Sequence, residues 1–133
     1  MKPTAIMVDI DGTLAHMQDR SPYDYSKVMS DTLDDAIADI TRKYKTVVIM
    51  SGRPESCRED TENWLRKHAV RFDKLFMRTT DDNRKDSIVK LELYKEHVEP
   101  NYNILFVLDD RNQVVKMWRE QGLKCLQVAE GDF

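Results

Sequence analysis

Five short apolar segments alternate with helical patterns along the chain, and this order of elements constrains the fold most. The segments are rich in Val, Ile and Leu and lack the strict apolar–polar alternation of a half-exposed sheet. We therefore expect strands covered on both faces at Ala5–Val8, Thr46–Met50, Lys74–Met77, Ile104–Leu108 and Lys124–Val128. Strands that alternate with helices join through right-handed crossovers. The sequence predicts an α/β, doubly wound, Rossmann-like domain with a five-stranded, mostly parallel sheet and helices on both faces.

Four helical patterns connect the segments, over about Leu33–Tyr44, Glu55–His68, Ser87–His97 and Asn112–Gly122. Thr32 with Asp35 forms a candidate capping box before the first helix. The third helix is expected to bury Ile88, Leu91 and Tyr94. The second and fourth helices are expected to turn these side chains into the core: Cys57, Thr61, Trp64, Leu65, Val114, Val115 and Trp118.

Length and composition limit the classes of protein. A chain of 133 residues corresponds to one domain. The stretch Gly12–Ser30 shows neither the apolar period of a helix nor that of a strand, so we expect an ordered loop there. A loop of this length allows only a minimal cap. The net charge of −3 excludes a protein that coats nucleic acid through bulk charge. Two cysteines, Cys57 and Cys125, favour a reducing compartment, and Asp9 interrupts the first apolar stretch. We expect no membrane span and a cytoplasmic location.

Charged and hydroxyl residues collect where the predicted strands end, the edge at which α/β sheets bind ligands. Asp9 and Asp11 follow the first strand, and Asp109 and Asp110 follow the fourth. Carboxylates so close together repel one another unless a cation lies among them, and hard oxygen ligands suit Mg²⁺. The other polar residues expected at this edge follow the second strand or begin the third helix: Ser51, Gly52, Arg53, Asp86 and Lys90.

These residue types together fit phosphoryl transfer. Arg20, Arg53 and Lys90 would hold phosphoryl oxygens and spread the charge that develops during transfer. A carboxylate beside the metal can attack phosphorus, which gives an aspartyl-phosphate that water later hydrolyses. A second carboxylate can protonate the leaving alcohol and then activate that water.

The strand ends resemble known motifs. The segment Asp9–Leu14, D-I-D-G-T-L, resembles the first motif of haloacid dehalogenase-type phosphatases. Ser51 resembles their second motif, Lys90 the third, and the pair Asp109-Asp110 the acidic fourth. The four motifs occur in the family's order on the expected strand ends.

A narrower resemblance covers nearly the whole chain. It is to the 3′-phosphatase domain of phage-type polynucleotide kinase-phosphatase, and it implies removal of a 3′-phosphate, or of a 2′,3′-cyclic phosphate, from DNA or RNA ends. No G-x-x-x-x-G-K-[ST] loop occurs in the sequence, so we expect residues 1–133 to lack the kinase half. Two alternatives stay open: the kinase is lost, or a separate 5′-kinase or ligase is a partner. The segments that carry the resemblance are Asp11–Ala15, Arg20–Asp24, Val48–Arg53, Arg84–Asp86 with Lys90, Asp109–Trp118 and Gln127–Phe133.

The resemblance also implies individual roles. Asp9 would be the nucleophile and a metal ligand, and Asp11 would supply a backbone carbonyl to the metal and a carboxyl group as general acid and base. Asp110 would bind the metal directly, because the double-Asp relatives use the second acid, while Asp109 would contact an outer-shell water or a cation. The residues expected to bind the phosphate or the nucleotide end are Arg20, Ser51, Gly52, Arg53 and Lys90.

Simpler explanations stay open for several side chains. Ser51 could cap the following helix, and the two arginines could be solvated at the surface. Asp86 stands where a helix cap is expected, although orienting Lys90 or Arg53 is the favoured role, and Lys85 is the rival of Lys90. Asp31 matches the family pattern but is better explained as an acid at a helix N-terminus.

Two other functions remain open. A nucleotidase acting on free mononucleotides would carry similar acids, but a small cap favours access by polymer ends. A Mg²⁺-dependent phosphoacceptor or binding module would share the acids and the lysine, but the second acid of D-x-D favours turnover. The sequence does not indicate an oligomeric state.

Overall fold

The computed structural model describes residues 1–133 and contains four α-helices and two groups of strands. The strands, in chain order, are β1 (Thr4–Val8), β2 (Ala15–His16), β3 (Thr32–Leu33), β4 (Val47–Pro54), β5 (Lys74–Arg78), β6 (Asn103–Asp109) and β7 (Cys125–Gln127). The helices are α1 (Asp35–Arg42), α2 (Arg58–Lys67), α3 (Asp86–Leu93) and α4 (Asn112–Glu120). Short helical turns cover Tyr25–Ser30, Glu55–Cys57 and Tyr94–Val98.

The main sheet has five parallel strands in the order β5-β4-β1-β6-β7, with β1 at its centre. Val8 of β1 lies opposite Ile49 of β4 on one side and Leu108 of β6 on the other. One apolar layer packs around Trp64 of α2 and the other around Trp118 of α4, and both indoles are fully buried. Helices therefore cover both faces, which confirms the predicted fold class.

Two helices differ from the sequence-based prediction. Asp34, not Thr32, caps α1: its carboxylate accepts the Ile37 N–H at 3.1 Å, while Thr32 belongs to β3. In α3 the prediction that Ile88 is buried is wrong, because 45% of it is exposed. This helix instead turns Asp86 and Lys90 inward, next to the apolar side chain of Val89, so its buried face is partly charged.

The stretch after β1 has more regular structure than the predicted loop. Ala15 of β2 pairs antiparallel with Leu33 of β3, and a helical turn occupies Tyr25–Ser30 between them. This small unit is the cap of the domain, and it lies between β1 and α1 in the chain. None of the helices has the length and apolar character needed to cross a lipid bilayer.

Candidate active site

Three buried carboxylates meet at the carboxyl edge of the sheet. Asp9 follows the central strand β1, Asp109 ends the neighbouring strand β6, and Asp110 comes next. One carboxylate oxygen from each lies within 4.8 Å of the others. Adjacent parallel strands end at the same edge, which explains why residues a hundred positions apart meet here. We call Asp9, Asp109 and Asp110 the acid cluster.

Lys90 supplies the positive charge next to the acid cluster. Its Nζ lies 2.9 Å from Oδ1 of Asp9, 3.2 Å from Oδ2 of Asp109 and 3.6 Å from Oδ2 of Asp86. Burial alone would lower the pKa of Lys90, but these three carboxylates hold it well above its ordinary value. Lys85, the rival candidate, is exposed.

The turn after β1 holds Asp9 in place. Thr13 Oγ1 donates to Oδ2 of Asp9 at 3.0 Å, a contact that the sequence did not indicate. Burial and the neighbouring Asp109 carboxylate raise the pKa of Asp9 well above its ordinary value. Gly12 has a φ of +81°, and a Cβ there would lie 2.0 Å from Oδ2 of Asp110. Glycine is therefore required both by the backbone and by the close approach of that carboxylate.

The two consecutive acids of the cluster have different surroundings. Oδ2 of Asp109 accepts from Lys90 Nζ and from the Trp118 indole N–H at 3.3 Å, and its Oδ1 accepts the Asp110 N–H at 2.8 Å. No basic side chain contacts the carboxylate of Asp110, whose pKa is raised by burial. Because Asp109 is occupied by protein donors, Asp110 is the acid better placed to give an oxygen to a cation.

The side chains of Arg20 and Arg53 are 0% and 1% exposed, so the surface alternative for them is wrong. Arg53 donates to both oxygens of Asp11, from Nε at 3.0 Å and from Nη2 at 2.7 Å. Arg20 donates to both oxygens of Asp31 at 2.9 Å each and reaches Asp11 at 3.4 Å. The Arg53 Nη2 also contacts Asp31 at 3.1 Å. Two guanidinium groups thus orient the Asp11 carboxylate, and Asp31 holds the two together.

Asp31 was expected to be an acid at a helix N-terminus, and the structure contradicts this. The helix begins at Asp35, whereas Asp31 is 3% exposed and ends the helical turn of the cap. Its backbone carbonyl accepts the Trp64 indole N–H at 3.0 Å. The family pattern was the only sequence signal for this residue, because a lone acid before a helix is usually a local feature.

Ser51 and Gly52 lie within β4, which continues to Pro54. Ser51 therefore does not cap a helix, and its Oγ accepts the Arg53 N–H at 3.1 Å. The backbone of Gly52 faces Asp86, because a Cβ at position 52 would lie 2.1 Å from Oδ1 of that acid. A side chain at this position would therefore displace Asp86.

Asp86 is a bridging acid and not a helix cap. It is the first residue of α3, and no side-chain hydrogen bond caps that helix. Its carboxylate lies 3.2 Å from Arg78, 3.6 Å from Lys90 and 3.7 Å from Arg111, so of the two expected partners it contacts Lys90 and not Arg53. Arg78 was missed by the sequence analysis. It also donates to the Gly52 carbonyl at 2.8 Å and thereby ties β5 to β4.

Comparison with known proteins identifies this arrangement. A family model described as the polynucleotide kinase PNKP phosphatase domain matches residues 3–133. The chain belongs to this family. The PNKP phosphatase domain is of the haloacid dehalogenase type, so the chain is a phosphatase domain with the fold expected for it.

Known relatives carry the same domain within longer chains. A putative bifunctional polynucleotide kinase/RNA ligase of Autographa californica nuclear polyhedrosis virus is 37% identical over 127 residues. Two solved structures, of the Pnkp1/Rnl/Hen1 RNA repair complex and of the Pnkp1/Rnl/Hen1 complex, each match 99% of this chain with 44% identity and a TM-score of 0.96. The match to the viral protein covers 89% of this chain but only 18% of that protein. The matches to the two structures cover 44% and 48% of the chains found there, so this chain spans less than half the length of each relative.

Proposed function

We propose that this PNKP phosphatase domain removes 3′-phosphates, including 2′,3′-cyclic phosphates, from DNA or RNA ends in a Mg²⁺-dependent reaction. The observation that carries the proposal is the acid cluster beside Lys90. Next to it, Arg20 and Arg53 orient Asp11, the second acid of the D-x-D motif. The names of the relatives include polynucleotide kinase, RNA ligase and RNA repair. These names favour nucleic-acid ends over free metabolites as substrates.

The donor set fits a magnesium ion. Carboxylate oxygens of Asp9 and Asp110 are near each other, and the Asp110 carboxylate has no basic partner. Together with the Asp11 backbone carbonyl, they would provide the hard oxygen ligands that Mg²⁺ prefers while leaving positions for water and phosphate. When bound, the ion would neutralise charge on the phosphoryl oxygens.

In the proposed reaction Asp9 attacks the phosphorus of the 3′-phosphate. The new carboxylate–phosphorus bond forms as the bond from phosphorus to the 3′-oxygen breaks, and Asp11 gives that oxygen a proton. Asp11 then takes a proton from water as the water oxygen attacks phosphorus, and the bond to Asp9 breaks to release phosphate. Lys90 offsets the negative charge, Ser51 donates a hydrogen bond to the phosphoryl group, and the backbone of Gly52, whose missing side chain leaves room for Asp86, lines the phosphate site.

The remaining site residues are proposed to position these groups. Arg20 and Arg53 engage the oxygens of Asp11 directly, so they act by holding that acid toward the scissile bond rather than as free phosphate ligands. Asp86 adds a further carboxylate partner to Lys90, 3.6 Å from its Nζ.

We further propose that residues 1–133 form one phosphatase domain that works with 5′-kinase and ligase activities supplied by other polypeptide segments. The longer lengths of the relatives support this division of labour.

Phosphate release from three matched substrates tests the function. With Mg²⁺, a 3′-phosphorylated oligonucleotide should release phosphate faster than the same strand phosphorylated at its 5′ end and faster than a 3′-mononucleotide. Equal rates on the mononucleotide would favour the nucleotidase alternative. A stable phosphoprotein without release would favour the phosphoacceptor alternative.

Asp9→Asn tests covalent catalysis. An amide is not a nucleophile, so phosphate release should fall below detection. The fold should persist, because Lys90 keeps the carboxylates of Asp86 and Asp109 as partners after the change. Steady-state assays and the thermal midpoint in metal-free buffer are the measurements. Residual turnover at more than about a thousandth of the native rate would contradict attack by Asp9.

A further inference from the structure

The segment after β7 folds back onto the loop that carries Asp110. We call residues Glu130–Phe133 the closing segment. The Gly131 carbonyl accepts the Asn112 N–H at 2.8 Å, and the Phe133 carbonyl accepts the Arg111 Nε–H at 2.8 Å. Both contacts use backbone oxygens of the closing segment, so they do not depend on its side chains.

Gly131 lies where the two backbones meet. It is buried, and a Cβ at this position would be 2.1 Å from the Asp110 carbonyl oxygen and 2.8 Å from Cα of Arg111. Both atoms belong to the main chain, which cannot turn aside as the end of a flexible side chain can. Any residue other than glycine would therefore move the closing segment or the loop.

A second contact fixes the same peptide. Gln127 Nε2 donates to the Asp110 carbonyl oxygen at 2.9 Å. The carbonyl of Asp110 is thus held by a side chain of β7 and covered by Gly131. On the other side of the residue, the Asp110 carboxylate lies against Gly12, in the space that a Cβ there would fill. A shift of the Asp110 backbone would therefore move its carboxylate away from Asp9.

We propose that Gly131 is a positioning residue for the cation site: the closing segment fixes the Asp110 peptide and so aims the Asp110 carboxylate at the acid cluster. The inference rests on the proposed Mg²⁺ site. Groups that orient metal ligands without touching the metal typically change metal affinity by about 10–100-fold.

Binding of Mn²⁺, followed by the electron paramagnetic resonance signal of the free ion, tests this without turnover. Gly131→Ala should raise the Kd for Mn²⁺ about tenfold or more. Asp132→Ala, at the exposed neighbouring position, is the matched control and should bind as the native protein does. A contact that only stabilises the fold would lower the thermal midpoint of Gly131→Ala and leave its Kd unchanged, and that result would overturn the proposal.

Gln127→Met keeps the test decisive if Gly131→Ala does not fold. It removes the N–H donor to the Asp110 carbonyl at an exposed position and retains the length of the side chain. A several-fold weaker Kd is expected, and native affinity would overturn the proposal. Failure of the native protein to bind Mn²⁺ would instead contradict the cation site itself and the proposed function with it.

Discussion

Buried charges at this site are balanced residue by residue. Lys90 is 1% exposed and Arg53 is 1% exposed, and each contacts at least two carboxylates. Transferring such ions out of water is costly, and only close partners with good geometry offset the cost. Removing one partner is therefore expected to be far more damaging here than at the surface.

Asp31→Asn should lower the free energy of unfolding by about 3–5 kcal/mol, because it leaves Asp11 as the only carboxylate partner of two buried guanidinium groups. Urea unfolding measures the change. Asp39→Ala is the control, since Asp39 pairs with Arg42 at an exposed position, and such pairs contribute about 0–1 kcal/mol. Equal losses in the two variants would contradict the role assigned to Asp31.

The pH dependence of stability should report on Asp86. Burial acts to raise the pKa of this carboxyl, but Lys90, Arg111 and Arg78 lower it below its ordinary value. Since the pKa is lower in the folded state, the stabilisation is complete above the unfolded value of about 3.9 and is lost as the pH falls through the folded value. The stability difference between native protein and Asp86→Asn, measured by urea unfolding without metal, should hold at neutral and mildly acidic pH and shrink once the pH falls below about 3.9. A constant difference would contradict the ionic role.

The sequence identified most of the residues at the site but not their partners. Asp9, Asp109 and Lys90 follow from motifs at strand and helix ends, because the sheet fixes where those ends lie. The partners of Arg20 and Asp31 depend on how the cap folds over the sheet, and no periodicity in the sequence encodes that contact.

Among the elements, the strands were the easiest to predict and α3 the hardest. Strands buried on both faces are continuous apolar runs, and each of the five predicted runs overlaps a strand of the sheet. In α3 the apolar stripe suggested one inward face, but the site requires Asp86 and Lys90 to be inward. Charged residues can occupy an interior position only where partners exist, which a helical period does not reveal.

Asp34→Ala tests the cap of α1. Loss of the bond to the Ile37 N–H should lower the free energy of unfolding by about 1 kcal/mol, since one helix-end donor is left without its partner. Thr32→Ala is the control, because Thr32 is exposed in β3 and does not cap the helix; its effect should stay within about 0.5 kcal/mol. Chemical denaturation compares the two. A larger loss for Thr32→Ala would restore the capping box that the sequence suggested.

At the scale of the whole molecule, the site lies at the boundary between β1 and β6, where two parts of the sheet meet. β1, β4 and β5 come from the first part of the chain, and β6 and β7 come from the last. Asp9 stands on one side of this boundary, and Asp109 and Asp110 on the other. Repulsion within the acid cluster therefore acts between two structural parts of one domain.

Magnesium should stabilise the whole domain. An ion that binds only the folded state adds about 2.7 kcal/mol at a concentration 100 times its Kd, which corresponds to a rise of several degrees in Tm. Differential scanning calorimetry with EDTA and with Mg²⁺ measures the shift. Asp110→Asn should lose most of it, and an equal rise with KCl at matched ionic strength would indicate a general salt effect instead.

The arrangement of strands also determines what a break in the chain would do. An exposed loop, residues 79–85, joins β5 to α3, and it divides Asp9, Asp11 and Ser51 from Lys90, Asp109 and Asp110. Neither fragment produced by cutting there would hold the complete set of groups proposed to react. Hydrolysis would then appear only when the two fragments reassemble. The domain could therefore serve as a split-enzyme reporter, in which phosphate release measures association of the fragments.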